Sequence, residues 1–292
     1  IVFLDVDGTL IDYEAKLPAS AAKAVDQARA NGHKVYICTG CSKAEILQRN
    51  LCDLDGMILG NGTYVEHENK VIMHDAMHQG LSKEDVKNIV DWCNERHIGF
   101  YLEANSGMYC NDYMLEQGPE TMVKYAKGKG ASLENAKSSA QHFIDGFIHL
   151  QGDELYRDDV NKISFILRTY QDHLDSKVDF PHLVANTWGG KGEVALFGDL
   201  GPTGITKRHA IEVLLDYLHA DPKDTISFGD AKIDLSMFEC CAYNVAMGNG
   251  GSEIKEAADY ITDDNDHDGI EKFILGEQKW VKLFLLMLME HY

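Results

Sequence analysis

No apolar run in this chain approaches the roughly 18–20 residues that a helix needs to cross a bilayer. The longest, LFLLMLM, covers only 283–289. Neither a membrane span nor a signal peptide is therefore expected. Positive charge is scarce as well. Lys and Arg number 27 against 47 Asp and Glu, a formal net charge of −20. A surface so acidic repels phosphate backbones and anionic lipid, which argues against nucleic acid and membrane as partners. It also repels free anionic substrates, so a site for one must reverse the field with a local cation. The 13 histidines show no ligand-type clustering, and His74 and His78, four apart, are not read as a metal pair. Seven cysteines are an odd count. Cys38 and Cys41 have formal CxxC spacing around Thr39-Gly40, and Cys240 and Cys241 are adjacent. Both sets read as packed thiols of a reducing compartment, so a cytoplasmic location is expected. No internal repeat is found. The Gly/Lys stretch near 128–132 lacks P-loop spacing and has no strand feeding it, so it reads as a surface loop.

What is present is ordinary globular material: 292 residues, 45% hydrophobic and 25% charged, enough for one large domain or two modest ones. The first stretch alternates strand and helix. IVFLD (1–5), KVYICTG (34–40) and DGMILGNG (55–62) read as strands. SAAKAVDQARANG (20–32) and SKAEILQRNL (42–51) read as helices, the second opened by a capping box, Ser42 with Glu45. This order argues for right-handed parallel units. The character then changes to short strands with irregular joins: 99–105, 107–111, 162–170, 182–188 and 192–199. Helical stretches lie at 81–97 and, less well defined, near 117–150. From about 203 the first character returns, with a helix at 203–220, the strand TISFGD (225–230), a short helix at 234–241, YNVAMGNG (243–250), a helix at 252–259 and YITDD (260–264). The expected fold is α/β: a Rossmann-like three-layer core with a parallel sheet, formed by 1–79 and 190–292, carrying an inserted α+β cap at 80–189. The apolar C-terminal stretch WVKLFLLMLM is expected to bury a helical face on the core or on a partner chain, so the protein is expected to be a monomer or a homodimer.

In open parallel sheets ligands sit at the carboxyl ends of the strands. The first strand ends in Asp5 and Asp7, the second in Thr39 and Gly40, and TISFGD in Asp230, with Asp234 four residues on. Lys207 stands early in the helix after Gly204. Carboxylates at close quarters do not all ionise unless a cation compensates. Oxygen ligands without His or Cys suit a hard ion, Mg²⁺ above Zn²⁺. An aspartate also serves as a nucleophile on phosphorus, with a second group as acid and base. Asp5 and Asp7, two apart on an extended chain, would face the same way, and Gly8 allows the turn that follows.

These residues resemble a known family. DVDGT at 5–9, CTG at 38–40, Lys207 in GITK and GDAKIDLSM at 229–237 resemble, in order, the four motifs of the haloacid dehalogenase superfamily, in the DxDGT form of its phosphatase branch. MGNGGSEIKEAADYITDDNDHDGI at 247–270 is similar to the Cof-type subfamily, whose members carry a large α/β cap between the second and third motifs. The resemblance implies that Asp5 is the nucleophile and Asp7 the general acid and base. Asp5, Asp7 (through its carbonyl) and Asp230 would hold Mg²⁺, with Asp234 and Asn265 behind them. Thr39 and Lys207 would contact the transferring phosphoryl group. Gly8, Gly40, Asn61 and Asn249 would line the phosphate or substrate, with Asn61 holding either Lys207 or substrate. The substrate would be a small phosphorylated metabolite, a sugar phosphate first, hydrolysed through an aspartyl-phosphate beneath a closing cap. Two positions depart from the pattern: Cys41 stands where many relatives have Arg, and Ile233 where many have Asn. A mutase-type phosphotransferase and a catalytically weak ligand-binding regulator remain as alternatives.

Overall fold

The computed structural model describes residues 1–12, 15–73, 80–188 and 194–276. His74, His78 and the C-terminal apolar stretch lie outside them. In chain order the strands are β1 (Val2–Leu4), β2 (Val35–Cys38), β3 (Gly56–Leu59), β4 (Tyr64–His67), β5 (Lys70–Met73), β6 (Phe100–Ala104), β7 (Met108–Cys110), β8 (Phe147–His149), β9 (Val160–Ile166), β10 (Val184–Thr187), β11 (Phe197–Gly201), β12 (Ile226–Gly229), β13 (Tyr243–Ala246) and β14 (Tyr260–Ile261). The α-helices are α1 (Ala19–Ala30), α2 (Lys43–Leu47), α3 (Lys83–Glu95), α4 (Asp112–Gly128), α5 (Leu133–Asp145), α6 (Tyr170–Asp179), α7 (Lys207–Leu218), α8 (Leu235–Phe238), α9 (Ser252–Ala257) and α10 (Gly269–Ile274). No helix among the described residues is long and apolar enough to cross a membrane.

The chain divides into two compact units, one of 1–39, 50–73 and 206–292, the other of 40–49 and 74–205. The first holds an eight-stranded sheet ordered β14-β13-β12-β1-β2-β3-β4-β5. From β14 to β3 every pairing is parallel, and β4 and β5 close one edge as antiparallel strands. The sheet is covered on both faces, so its central strands read as unbroken apolar runs, such as VFL and VYIC, not as alternating ones. Phe3, Tyr36, Cys38 and Ile58 join Ala210, Ile211, Leu214 and Leu215 of α7 in one apolar cluster. Phe228 meets Phe273 of α10 edge-on, with ring centroids 5.2 Å apart. Because β12, β1 and β2 are parallel neighbours, the residues that follow them (Asp230, Asp5 and Thr39) emerge at the same edge of the sheet.

The second unit holds a six-stranded sheet, β10-β11-β9-β6-β7-β8, antiparallel except for the β7–β8 pair. Alternation along β6 sends Phe100, Leu102 and Ala104 into a cluster with Val86, Ile89 and Val90 of α3, and Tyr101 into another with Met114 of α4. The helical stretch expected near 117–150 is two helices, α4 and α5, with a turn between them in which Gly130 has φ of 96°. The core was expected to resume at 190, but β11 pairs with β9 and β10, and the second unit runs to Ile205. The strand read at 192–199 already had the short, irregular character of the insert, and its antiparallel partners place β11 in the second unit.

Candidate active site

Helix α7 buries Lys207, Ala210, Ile211, Leu214 and Leu215. That is the i, i+3, i+4, i+7, i+8 stripe of a core-facing helix, with a lysine in its first place. Thr206 caps the helix, its hydroxyl accepting the His209 N–H at 3.1 Å. Lys207 is 1% exposed, and a buried ammonium needs partners. It has two: its Nζ donates to Asp5 Oδ1 at 2.7 Å and to Asp234 Oδ1 at 2.5 Å. Burial works against its charge, yet Asp234 and then Asp5 outweigh it and raise its pKa.

Asp234 is fully buried and belongs to the turn after β12. Its Oδ2 accepts the backbone N–H groups of Asp230 and Ala231, at 3.1 and 3.0 Å. Its side chain thus closes the Asp230 turn and does not cap α8. Gly229 makes room for it: a Cβ there would lie 2.6 Å from the Asp234 Cβ. Burial, then the negative charge of Asp234, push the Asp5 carboxyl well above the usual carboxylate range, against the pull of Lys207. Asp230 accepts a hydrogen bond from the Thr9 hydroxyl at 3.2 Å, which ties the first motif to the last.

Carboxylate oxygens of Asp5, Asp230 and Asp234 lie within 4.8 Å of one another, the one such cluster among the described residues. With all three carboxyl groups ionised, three negative charges against one ammonium leave an excess of two, which a divalent cation would neutralise, offsetting the burial that otherwise favours neutral Asp5. The donors are all oxygen, as a hard ion such as Mg²⁺ prefers. The residues present therefore fit the ion.

The stretch after β1 is a tight loop. Gly8 takes φ of 83°, Ile11 N–H donates to the Val6 carbonyl at 2.9 Å, and Gly8 N–H donates to the Ile11 carbonyl at 2.9 Å. Asp7, partly exposed, lies in this loop and bridges to Ile11. Thr39 is buried at the end of β2, and its carbonyl accepts the Asn61 N–H at 3.0 Å. The thiol before it, Cys38, has its pKa raised by burial, and it feels the charges of Lys207, Asp5 and Asp234. Asn61 does not hold Lys207: its Oδ1 is buried and makes no hydrogen bond. Asn249 Nδ2 donates to the Gly8 carbonyl at 2.7 Å, and Asn265 Nδ2 donates to the Ile11 carbonyl at 3.2 Å. Gly40 and Cys41 open the 40–49 segment of the second unit, where Arg49 lies 3.4 Å from the Cys41 sulfur. Ile233 is 42% exposed. Sequence reasoning missed Thr9, although it stands inside the quoted DVDGT motif.

A family model described as haloacid dehalogenase-like hydrolase matches residues 2–274. The chain is 27% identical over 278 residues to the putative phosphatase YkrA of Bacillus subtilis, with 92% of this chain and 94% of that protein covered. It is 26% identical over 294 residues to the 5-amino-6-(5-phospho-D-ribitylamino)uracil phosphatase YwtE of the same organism, with 94% and 96% covered. The solved structure of the subclass IIB sugar phosphatase BT4131 matches with a TM-score of 0.72 at 26% identity, covering 94% of this chain and 97% of that one. The chain belongs to the haloacid dehalogenase-like hydrolases, in their Cof-type branch.

Proposed function

We propose that the chain hydrolyses a small phosphate monoester, a sugar or polyol phosphate or a similar metabolite, in an Mg²⁺-dependent reaction that passes through an aspartyl-phosphate on Asp5. The observation that carries this reading is the buried Lys207, bonded to both Asp5 and Asp234 at the edge where three parallel strands end. A carboxylate held by an ammonium beside two further carboxylates is placed to receive a cation and a phosphoryl group together. Two similar proteins favour this substrate class: one is named for a ribityl phosphate and one is a sugar phosphatase.

In this reading an Asp5 oxygen attacks phosphorus and the bond to the leaving oxygen breaks. Asp7 gives that oxygen its proton. Asp7 then takes a proton from water, the water oxygen attacks phosphorus, and the bond to Asp5 breaks, freeing inorganic phosphate and restoring both carboxyl groups. Lys207 and Thr39 hold the phosphoryl oxygens, and Asp234 keeps Lys207 charged and in place. Mg²⁺, held by Asp5, Asp230 and the Asp7 carbonyl, would supply the positive charge that draws an anionic ester into an acidic protein. The second unit is read as the cap that selects the leaving group.

The test is turnover of 4-nitrophenyl phosphate and of a panel of sugar and polyol phosphates. Release of phosphate in step with the alcohol, lost on chelation, regained with Mg²⁺ and abolished in Asp5→Asn, is the expected result. Wild-type protein saturated with Mg²⁺ that releases phosphate from no ester in the panel overturns the reading.

A further inference from the structure

We infer that Asn249 and Asn265 form a clamp that positions the Asp7 loop, and that they act on leaving-group protonation without touching the substrate. The inference rests on the phosphatase reading, since it concerns the acid that reading assigns to Asp7.

The loop from Asp5 to Ile11 is fastened internally by its own backbone. Leu10 N–H donates to the Asp5 carbonyl at 3.2 Å, and Thr9 and Ile11 N–H donate to the Val6 carbonyl at 3.3 and 2.9 Å. These bonds fix the loop's shape. Its attachment to the rest of the unit is a separate matter, because a shape-stable loop still pivots about its stem. Beside the Thr9–Asp230 bond, two side chains from distant sequence supply attachments on the far side of Asp7. Asn249 Nδ2 reaches the Gly8 carbonyl at 2.7 Å across 241 residues, and Asn265 Nδ2 reaches the Ile11 carbonyl at 3.2 Å across 254. The two asparagines are joined to each other, with Asn265 N–H donating to Asn249 Oδ1 at 3.3 Å.

The supports of the clamp are firm. Asn249 follows β13 in a turn held by Gly250 N–H on the Met247 carbonyl at 2.9 Å, and Met247 N–H donates to the Gly229 carbonyl at 3.0 Å. Asn265 is buried at the start of the turn after β14. The residue type matters. Only an amide of this length both donates to Gly8 and accepts from Asn265. A carboxylate at 249 would keep the acceptor and set its charge against a carbonyl.

An acid displaced by even an ångström loses much of its effect, and the loss falls on reactions that need the proton. Phenyl phosphate and 4-nitrophenyl phosphate have nearly the same shape, but phenol, with a pKa of about 10 like the tyrosine side chain, is a far poorer leaving group than nitrophenol. The quantity to measure is kcat/KM, which reports departure of the phenol and not the later attack of water. Asn249→Ala and Asn249→Asp are expected to lower kcat/KM for phenyl phosphate about tenfold more than for 4-nitrophenyl phosphate, roughly the span seen when acid catalysis is weakened and not abolished. Asn265→Ser, which removes only the Ile11 bond, is expected to do the same to a smaller degree. In an Asp7→Asn background the discrimination added by Asn249→Asp is expected to vanish. Equal losses on both esters, or none, overturn the inference, as does discrimination that persists without Asp7. Failure of the phosphatase reading looks different, because there the wild-type protein turns over neither ester.

Discussion

Replacing Lys207 by Met isolates the electrostatics of the site from its packing. Met is close to Lys in length and fills irregular apolar space, and Lys207 occupies a place in the α7 stripe shared with Ala210, Ile211 and Leu214. The packing cost is therefore small. The electrostatic cost is not. Asp5 and Asp234 stay buried while losing bonds of 2.7 and 2.5 Å to an ammonium. Asp234 still accepts two backbone N–H groups, and its negative charge bears on Asp5. Removing one partner of a buried ion pair costs about 3–5 kcal/mol. On a body of this size, each 1 kcal/mol moves the melting temperature by about 2–4 °C, so a fall of about 10 °C is expected. The measurement belongs in chelator, because a divalent cation would take up the excess negative charge.

The two-unit division makes a single melting curve ambiguous, and hydrogen exchange resolves it. Amides of β1, β2 and β12 that open only with the unit should exchange faster by about two to three powers of ten, while those of β6 and β9 keep their rates. Adding Asp234→Asn should recover part of the loss, with a coupling of at least about 1 kcal/mol for residues in one network. Lys207→Met protein within about 0.5 kcal/mol of wild type, the range of an ordinary surface change, would refute the argument that this ammonium holds the carboxylates together.

Lys162→Met is the counterpart in the second unit. Lys162 pairs with buried Glu103 at 3.3 Å, so the same exchange experiment should speed β6 and β9 and spare β1. Gly229→Ala puts a methyl group where the Asp234 Cβ stands 2.6 Å away; a stability loss of about 1–3 kcal/mol and a fall in kcat for 4-nitrophenyl phosphate are expected, read by melting curves and steady-state kinetics. Asp172→Ala removes a carboxylate that accepts from Arg168 at 2.6 and 3.2 Å and from the Arg168 N–H at 2.9 Å at the start of α6, a loss of about 1–2 kcal/mol. Burial raises the Asp172 pKa, but the Arg168 bonds outweigh it and leave the carboxyl below its ordinary value. Its contribution is thus present above the unfolded carboxylate pKa and fades as pH falls through the native one. Wild type and variant should converge in melting temperature as pH falls below the ordinary carboxylate range and differ fully at neutral pH.

The edge that holds the candidate site was largely legible in the sequence because it depends on short-range facts. Asp5, Thr39 and Asp230 each follow an apolar run that reads as a buried strand, and parallel pairing puts such ends on one edge without knowledge of any side chain. The capping box of Ser42 and Glu45 is likewise local, and both of its bonds form, at 3.3 and 2.6 Å. What was not legible depends on pairing between distant segments. The stretch 192–199 reads as one of the short strands of the insert, yet the core was expected to resume at 190, and the antiparallel partners β9 and β10 place β11 in the second unit. The break between α4 and α5 falls at Lys129 and Gly130, inside the Gly/Lys stretch that the sequence marks as a surface loop, although the helical reading near 117–150 ran across it.

Asn249 and Asn265 mark the deeper limit. Both were expected near the substrate or the metal because of their company in the chain, and each also donates to a main-chain carbonyl of the first loop. A carbonyl has no sequence signature, so a side chain that serves one cannot be told from a side chain that serves a ligand. The same reasoning applies to Asp234, expected behind the metal ligands: its oxygens also accept from Lys207 and two backbone N–H groups. Residues that would meet the phosphoryl group are fixed by the chemistry of the reaction and recur as motifs. Residues that hold those in place are fixed by the path of the backbone, and only the fold discloses them. The two aspartates at the end of β1 therefore depend on different parts of the molecule: Asp5 on Lys207 and the electrostatics around it, Asp7 on two amides that hold the loop from beyond. A substitution at Lys207 should change stability and chemistry together, and one at Asn249 should change the chemistry of leaving-group departure first.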